Sequence, residues 1–332
     1  MSENPPDPGA GHPHLVEDAA AFAELGRRLE KTDSIALDIE ANGMHAYRER
    51  ACVVQVTADG ESHIVDVGAV GDLAPLRRAV DRPDMELILH GGDYDISLLS
   101  RDHGFRFHRV FDTMIAATML GDPKVGLADL VREAYGVELD KRFQTVDWAK
   151  RPLTPEQIDY LHRDTVYLHG LRDRYQARLE EADLVQEAAI EFRRLAEREG
   201  KTPVFDPESW RRMKGTNDLD ARARTILAAI TVWREKEAER RDRPPFKVLG
   251  PRQMVEIAAR APQHIRGADD LPGLPPSLRR RFGRQLVEVT RRADARAAEG
   301  EVPPKSIRPR PSCEEKRESR EIRTLDDARR DW

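Results

Sequence analysis

The stretch Ser34-Ile-Ala-Leu-Asp-Ile-Glu40, closed by Asn42-Gly43, decides the fold. Ile35, Leu37 and Ile39 recur at every second position, with Asp38 and Glu40 between and after them. A period of two marks a strand whose successive side chains point to opposite faces. The apolar set is expected to enter the core, and Asp38 and Glu40 then point together to the other side. Two carboxylates side by side repel each other unless cations lie between them. Hard divalent ions such as Mg²⁺ or Mn²⁺ take oxygen ligands, so the pair reads either as a metal site or as a solvated strand face.

Outward from this strand the pattern stays α/β. Ala51–Thr57 reads as a second strand closed by Asp59-Gly60, and His63–Val67 as a third. Leu73–Val80 looks helical. Glu86–His90 is a fourth strand, Gly91-Gly92 turns into a helix through Leu99, and Phe107–Phe111 is a fifth strand. Upstream, Leu15, Ala19, Phe22, Leu25 and Leu29 fall at helical intervals and predict a helix over 15–29. Downstream, Thr113–Leu120 and Leu127–Ala134 read as short helices. Thr154-Pro155-Glu156-Gln157 starts another, with Thr154 as cap, Pro155 in the first turn and Gln157 completing a capping box; it is expected to run to about Arg178. Early strands followed only by helices argue for an α/β core and then an α-helical region. Thr202-Pro-Val-Phe-Asp-Pro207 reads as the linker. Beyond it, Ile226, Ile230 and Trp233, then Met254, Ile257 and Ala258, then Leu286 and Val289, mark the apolar stripes of a small bundle.

Composition bounds the class. The 332 residues are 39% hydrophobic and 35% charged, with a mean hydropathy of −0.66 and no apolar run long enough to span a bilayer. The opening MSENPPDPGAGHPH lacks an apolar h-region, so no signal peptide is expected and residues 1–14 read as a flexible tail. Two cysteines, Cys52 and Cys313, cannot build a disulfide scaffold or a four-cysteine zinc site, and they fit a reducing cytoplasm. Residues 221–300 carry 18 Lys and Arg against 10 Asp and Glu, whereas residues 1–220 carry 28 against 42. An acidic front and a basic back suggest two domains with different tasks, the basic one suited to polyanions. Residues 296–332 are mostly charged and read as a second flexible tail.

Two more acidic segments follow. In His90-Gly91-Gly92-Asp93-Tyr94-Asp95-Ile96 a strand, a glycine turn and a helix start place a carboxylate at the top of the sheet. Standing alone, this reads as an ordinary cap, Asp93 at the N-cap and Asp95 favoured by the helix dipole. In Tyr160-Leu-His-Arg-Asp164, helical spacing puts Tyr160 and Asp164 on one face, as in many hydrogen-bonded core pairs, while His162 lies off that face and reads as surface.

Taken in order, Asp-x-Glu, then Asp, then Tyr-x-x-x-Asp resembles the DEDDy exonuclease superfamily, and more closely the ribonuclease D family. Arg50-Ala-Cys-Val-Val-Gln-Val56, Phe111-Asp112-Thr113 and Asp147-Trp148-Ala-Lys-Arg151-Pro152-Leu153 strengthen the likeness, which covers about residues 15–200. Ile226-Leu227, Trp233-Arg234-Glu235, Ala238, Pro244-Pro245-Phe246 and Leu271-Pro-Gly-Leu274 look like the helicase-and-RNase-D C-terminal (HRDC) domain. The resemblance implies a ribonuclease H-like mixed-sheet exonuclease domain over 15–205 and an HRDC-like helical nucleic-acid-binding domain over 206–295. It makes Asp38, Glu40, Asp95 and Asp164 the ligands of two divalent ions, Mg²⁺ or Mn²⁺, and Tyr160 the residue that orients the attacking water. Asp93 is the rival for Asp95, which is preferred because the family pattern places the acid directly before an apolar helix residue, here Ile96. Asp112 would order the strand–helix junction, and Gln55 would be structural or near the substrate path. The implied activity is 3′–5′ hydrolysis of RNA with a free 3′ end, tRNA precursors among the substrates, releasing 5′ mononucleotides in the cytoplasm without a membrane partner. The alternatives are a DNA exonuclease, or a nucleic-acid-binding protein with little catalysis. Arg279, Arg280, Arg281 and Arg284 are either phosphate contacts or simply solvated arginines.

Overall fold

A computed structural model describes residues 7–261 and 265–303 of the chain. The described residues divide into two units, one containing residues 7–42 and 50–202, the other residues 43–49, 203–261 and 265–303.

The first unit contains strands β1 (His14–Val16), β2 (Ser34–Ala41), β3 (Ala51–Ala58), β4 (Glu61–Asp66), β5 (Glu86–Leu89) and β6 (Arg109–Asp112). Its helices are α1 (Ala19–Leu29), α2 (Val67–Val70), α3 (Ala74–Val80), α4 (Asp93–His103), α5 (Thr113–Met119), α6 (Leu127–Tyr135), α7 (Pro155–Thr165), α8 (Leu168–Glu181) and α9 (Val185–Ala196). The strands form one mixed sheet in the order β1-β4-β3-β2-β5-β6. The pairs β2–β3 and β3–β4 are antiparallel, and β1–β4, β2–β5 and β5–β6 are parallel.

Both faces of the sheet are covered, which explains why the strands read as nearly continuous apolar runs. Ile35, Leu37 and Ile39 pack with Phe22, Leu25, Leu76 and Leu99 in one core. Ala36, on the opposite face, packs with Ile88, Phe111, Leu168 and Leu171 in another. Asp38 and Glu40 belong to this second face, and α7 lies across β2, β3 and β4 on it. The acidic side of β2 is therefore flanked by helices, with Asp38 and Glu40 half-buried.

Four expectations need correction. The helix read over 15–29 begins only at Ala19, because the Asp18 side chain accepts from the backbone N–H groups of Ala20 and Ala21 and caps it there; His14–Val16 instead pair with β4. Residues 7–14 are not a free tail. Asp7 caps a single 3₁₀ turn over Pro8–Ala10 and accepts a 2.7 Å hydrogen bond from the Tyr167 hydroxyl, while residues 1–6 lie outside the described residues. The helix begun at Pro155 stops at Thr165, whose hydroxyl is tied to that of Thr57 on β3 at 2.8 Å, and α8 resumes at Leu168. The helix ending at Ala298 passes three residues into the segment expected to be a tail, because Ala293 and Ala297 on its inner face are buried; residues 304–332 lie outside the described residues.

The second unit contains α10 (Ala221–Arg240), α11 (Pro245–Val248), α12 (Pro251–Arg260) and α13 (Pro276–Ala298). Ile226, Ile230, Met254, Ile257, Ala258 and Leu286 form its core with Trp210 and Phe282, and Trp233 and Val289 pack against it partly buried. The short segment Gly43–Glu49, between β2 and β3 in sequence, belongs to this unit. There the Tyr47 hydroxyl donates to Glu235 at 2.7 Å and its backbone N–H to Asp242 at 3.0 Å.

Candidate active site

The site is built from three elements. β2 carries Asp38 and Glu40 on its helix-flanked face, the first turn of α4 carries Asp95, and α7 carries Tyr160 and Asp164. Carboxylate oxygens of Asp38, Glu40 and Asp164 lie within 4.8 Å of one another. These three acids, Tyr160, His90 and Gln144 line a cleft of about 330 Å³. Asp95 is 6% exposed and lies within electrostatic reach of Asp38, Glu40 and Asp164. Asp93 is exposed and forms an ion pair with Arg198, so the structure brings Asp95 rather than Asp93 to the other acids.

Local sequence explains why α4 delivers Asp95 there. Gly91 has a φ of +67°, a region that costs a residue with a Cβ. A Cβ on Gly92 would stand 2.4–2.9 Å from the Leu89 side chain, so only glycine allows the chain to double back off β5. Asp112, fully buried at the end of β6, accepts from the N–H groups of Gly91 (3.1 Å) and Gly92 (2.8 Å). It also caps α5 through Met114 and Ile115. One carboxylate thus holds two strand–helix turns in register, as the sequence reading expected of Asp112.

The loop before α7 sets Tyr160. Trp148 is 1% exposed and stacks on the Tyr160 ring at 5.8 Å between centroids, while Phe143 meets the same ring edge-on at 5.7 Å. Arg151 anchors the loop by pairing with Asp66 and donating to the carbonyls of Trp148 (2.7 Å) and Cys52 (3.0 Å). Ring packing therefore fixes where the phenol oxygen can go.

The electrostatics are those of crowded, desolvated acids. Burial pushes Asp38 up to about 7. Burial first, then the charge of Asp38, pushes Glu40 up to about 8, against the opposing effect of the Tyr160 hydroxyl. Asp95 and Asp164 are held well above the ordinary carboxylate range by burial and then by the Asp38 charge. Burial likewise raises the Tyr160 phenol, and the nearby acids add to it, so it keeps its proton at neutral pH. Burial and the neighbouring acids, not a basic side chain, dominate these four shifts, and Asp164 Oδ2 is buried without a hydrogen-bond partner. Uncompensated carboxylate oxygens in this number fit hard divalent cations.

Sequence reasoning missed two residues of the cleft. His90 directly follows β5, a position visible in the sequence, but it was read only as the lead into the glycine turn. Its Nδ1 lies 2.9 Å from the Thr113 hydroxyl, and burial lowers its pKa to about 4, so it is neutral and cannot balance the acids. Gln144 sits in the irregular loop before α7, where no periodicity points to it. One other reading changes. His162 is 2% exposed rather than on the surface, since α7 presses that side onto the sheet. Gln55 pairs in register with Asp38 across the β2–β3 ladder and is fully buried.

Comparison with known proteins decides the family. A family model for 3′–5′ exonucleases matches residues 13–180, and one for the HRDC domain matches residues 223–290. Ribonuclease D of Acidiphilium cryptum is 32% identical over 92% of this chain and 79% of its own length. The chain belongs to the ribonuclease D family. Ribonuclease D of Zymomonas mobilis is 31% identical over 90% of this chain and 76% of its own length. The crystal structure of Escherichia coli RNase D, an exoribonuclease involved in structured RNA processing, superposes with a TM-score of 0.73 at 25% identity, over 95% of this chain and 84% of that one. The catalytic core of RRP6 from Trypanosoma brucei shares the fold with a TM-score of 0.77 at 24% identity, over 87% and 81% of the two chains. As a ribonuclease D family member the chain is a 3′–5′ exoribonuclease with an HRDC domain, and its substrate is nucleic acid.

Proposed function

We propose that Asp38, Glu40, Asp95 and Asp164 hold two divalent cations, Mg²⁺ or Mn²⁺, and that Tyr160 orients the water that attacks the terminal phosphodiester. The observation that carries this reading is the convergence of three carboxylates within 4.8 Å at a cleft, with Asp95 within electrostatic reach of all three. When bound, such ions supply Lewis-acid activation of the water and charge compensation on the phosphate and the departing 3′ oxygen. The protein supplies the rest. Its buried acids fix where positive charge can sit. The Trp148–Tyr160–Phe143 stack holds a protonated phenol at the cleft, where it can donate to or accept from a water but cannot act as a free base at neutral pH.

The substrate we propose is RNA with a free 3′ end, tRNA precursors included, degraded to 5′ mononucleotides in the cytoplasm. The relation to ribonucleases D supports RNA, and the basic HRDC domain supports a structured substrate with many phosphates to contact. Matched RNA and DNA oligonucleotides with free 3′ ends, digested side by side with Mg²⁺ or Mn²⁺, test the reading. Faster shortening of RNA from its 3′ end supports it. Equal or faster digestion of DNA would overturn the RNA preference.

A further inference from the structure

Among the described residues a second cluster of potential metal ligands lies on the edge of the sheet. We propose that His14, Glu61 and His63 form a cation site separate from the acid cluster, and that it takes a borderline transition-metal ion such as Zn²⁺.

Strand register brings the three together. His14 and His63 are directly paired across the parallel β1–β4 ladder, and Glu61 stands two residues before His63 on the same face of β4. One ligand atom from each of the three lies within 4.8 Å of the others. The two imidazoles face each other with centroids 5.1 Å apart, and His63 Nε2 is 3.9 Å from Glu61 Oε2. Zinc ligands about 2.0–2.2 Å from a shared ion stand slightly closer than this to one another. Small side-chain rotations of the exposed His14 and Glu61 close the gap around the buried His63.

His63 is 5% exposed, so its ring is held at the sheet edge, and its Nε2 is the nitrogen presented to Glu61. Arg28 pairs with Glu61 and orients its carboxylate, the kind of outer contact that fixes metal ligands. Two imidazoles and one carboxylate prefer Zn²⁺, Co²⁺ or Ni²⁺ to Mg²⁺, the reverse of the all-oxygen active site. Three protein ligands leave positions for water. Such an ion would clamp β1, a strand of only three residues, onto the sheet edge.

The test uses the full chain carrying Asp38→Asn and Asp164→Asn, which weakens binding at the active site, with and without His14→Ala. Zn²⁺ retained after equilibrium dialysis in excess Mg²⁺ is counted, and Co²⁺ binding is followed by its visible d–d absorption. The proposal expects one equivalent retained in the parent and lost with His14→Ala. It also expects Zn²⁺ to raise the melting temperature of the parent only. His63→Gln should behave like His14→Ala where it folds, and because His14 is exposed its variant keeps the test decisive if His63→Gln does not. Exonuclease rate in Mg²⁺ should be unchanged by His14→Ala in the otherwise native chain. Equal Zn²⁺ retention with and without His14, or none in the parent, overturns the proposal.

Discussion

At the residue scale, the acids of the cleft do different work from the phenol beside them. Tyr160→Phe keeps the ring that packs on Trp148 and Phe143 and removes only the hydroxyl. A positioning or acid–base group contributes roughly 10²–10⁴-fold, so single-turnover kinetics should show a fall of that order with melting temperature and RNA affinity unchanged. Unchanged turnover would reduce Tyr160 to a packing residue. Asp95→Asn should abolish hydrolysis, whereas Asp93→Asn, which only loses an exposed pairing with Arg198, should stay near the parent rate; the reverse order would show that the wrong acid was assigned. The acids also set a pH dependence. Asp38 rises from 3.8 to about 7 and Glu40 from 4.5 to about 8, so both are protonated in the metal-free fold where the unfolded chain has already ionised. Their favourable contribution is complete below about pH 4 and is lost as pH climbs through 7 to 8. The metal-free protein should therefore lose stability across that window, divalent cation should restore it, and cation affinity should rise with pH because binding displaces protons. Melting temperatures at several pH values, with chelator and with Mg²⁺, would check this; a metal-free stability that rises from pH 5 to 8 would contradict it.

At the element scale, the turn off β5 and the loop before α7 hold the site together. Asp112→Ala strips the cap from α5 and leaves the Gly91 and Gly92 N–H groups without their acceptor in a buried place. The cost should be about 1–3 kcal/mol per unsatisfied group, read by denaturant unfolding, with a loss of activity because Asp95 rides on the same turn. Trp148→Ala should cost about 3–5 kcal/mol and lower turnover by freeing Tyr160. Elements also show what was legible. The alternation around Leu37 and the Thr154 capping box are local signals, and the structure realises both. β1 was hidden because a three-residue strand has no period, and Leu15 happened to extend the stripe of α1. The break after Thr165 carries no glycine or proline; it follows from a contact with Thr57, which lies 108 residues earlier in the chain. For the same reason Asp38, Glu40, Tyr160 and Asp164 could be read as a motif, whereas Gln144 in its loop and the pairing of His14 with His63 depend on the folded sheet.

At the scale of the whole molecule, the chain carries an acidic exonuclease unit and a basic HRDC unit, and the proposed division of labour gives substrate holding to the second. Arg280, Arg281 and Arg284 on α13 are exposed, while Arg279 is partly buried and bonds the Leu274 carbonyl, so the run read as four candidate contacts offers three open ones. Replacing these three by Ala should weaken binding to a tRNA-like substrate and flatten the slope of log affinity against log salt by about 2, with little effect on a short oligonucleotide. Identical slopes would mean that the domain serves another partner. The central claim is that the four acids make this chain a metal-dependent exonuclease working from the 3′ end. It is tested most directly by following a 5′-labelled structured RNA under single-turnover conditions with Mg²⁺, for the parent chain and Asp38→Asn. The parent should give a ladder shortening stepwise from the 3′ end that vanishes in Asp38→Asn and on chelation, while metal-free RNA binding survives. Near-parent turnover by Asp38→Asn would contradict it.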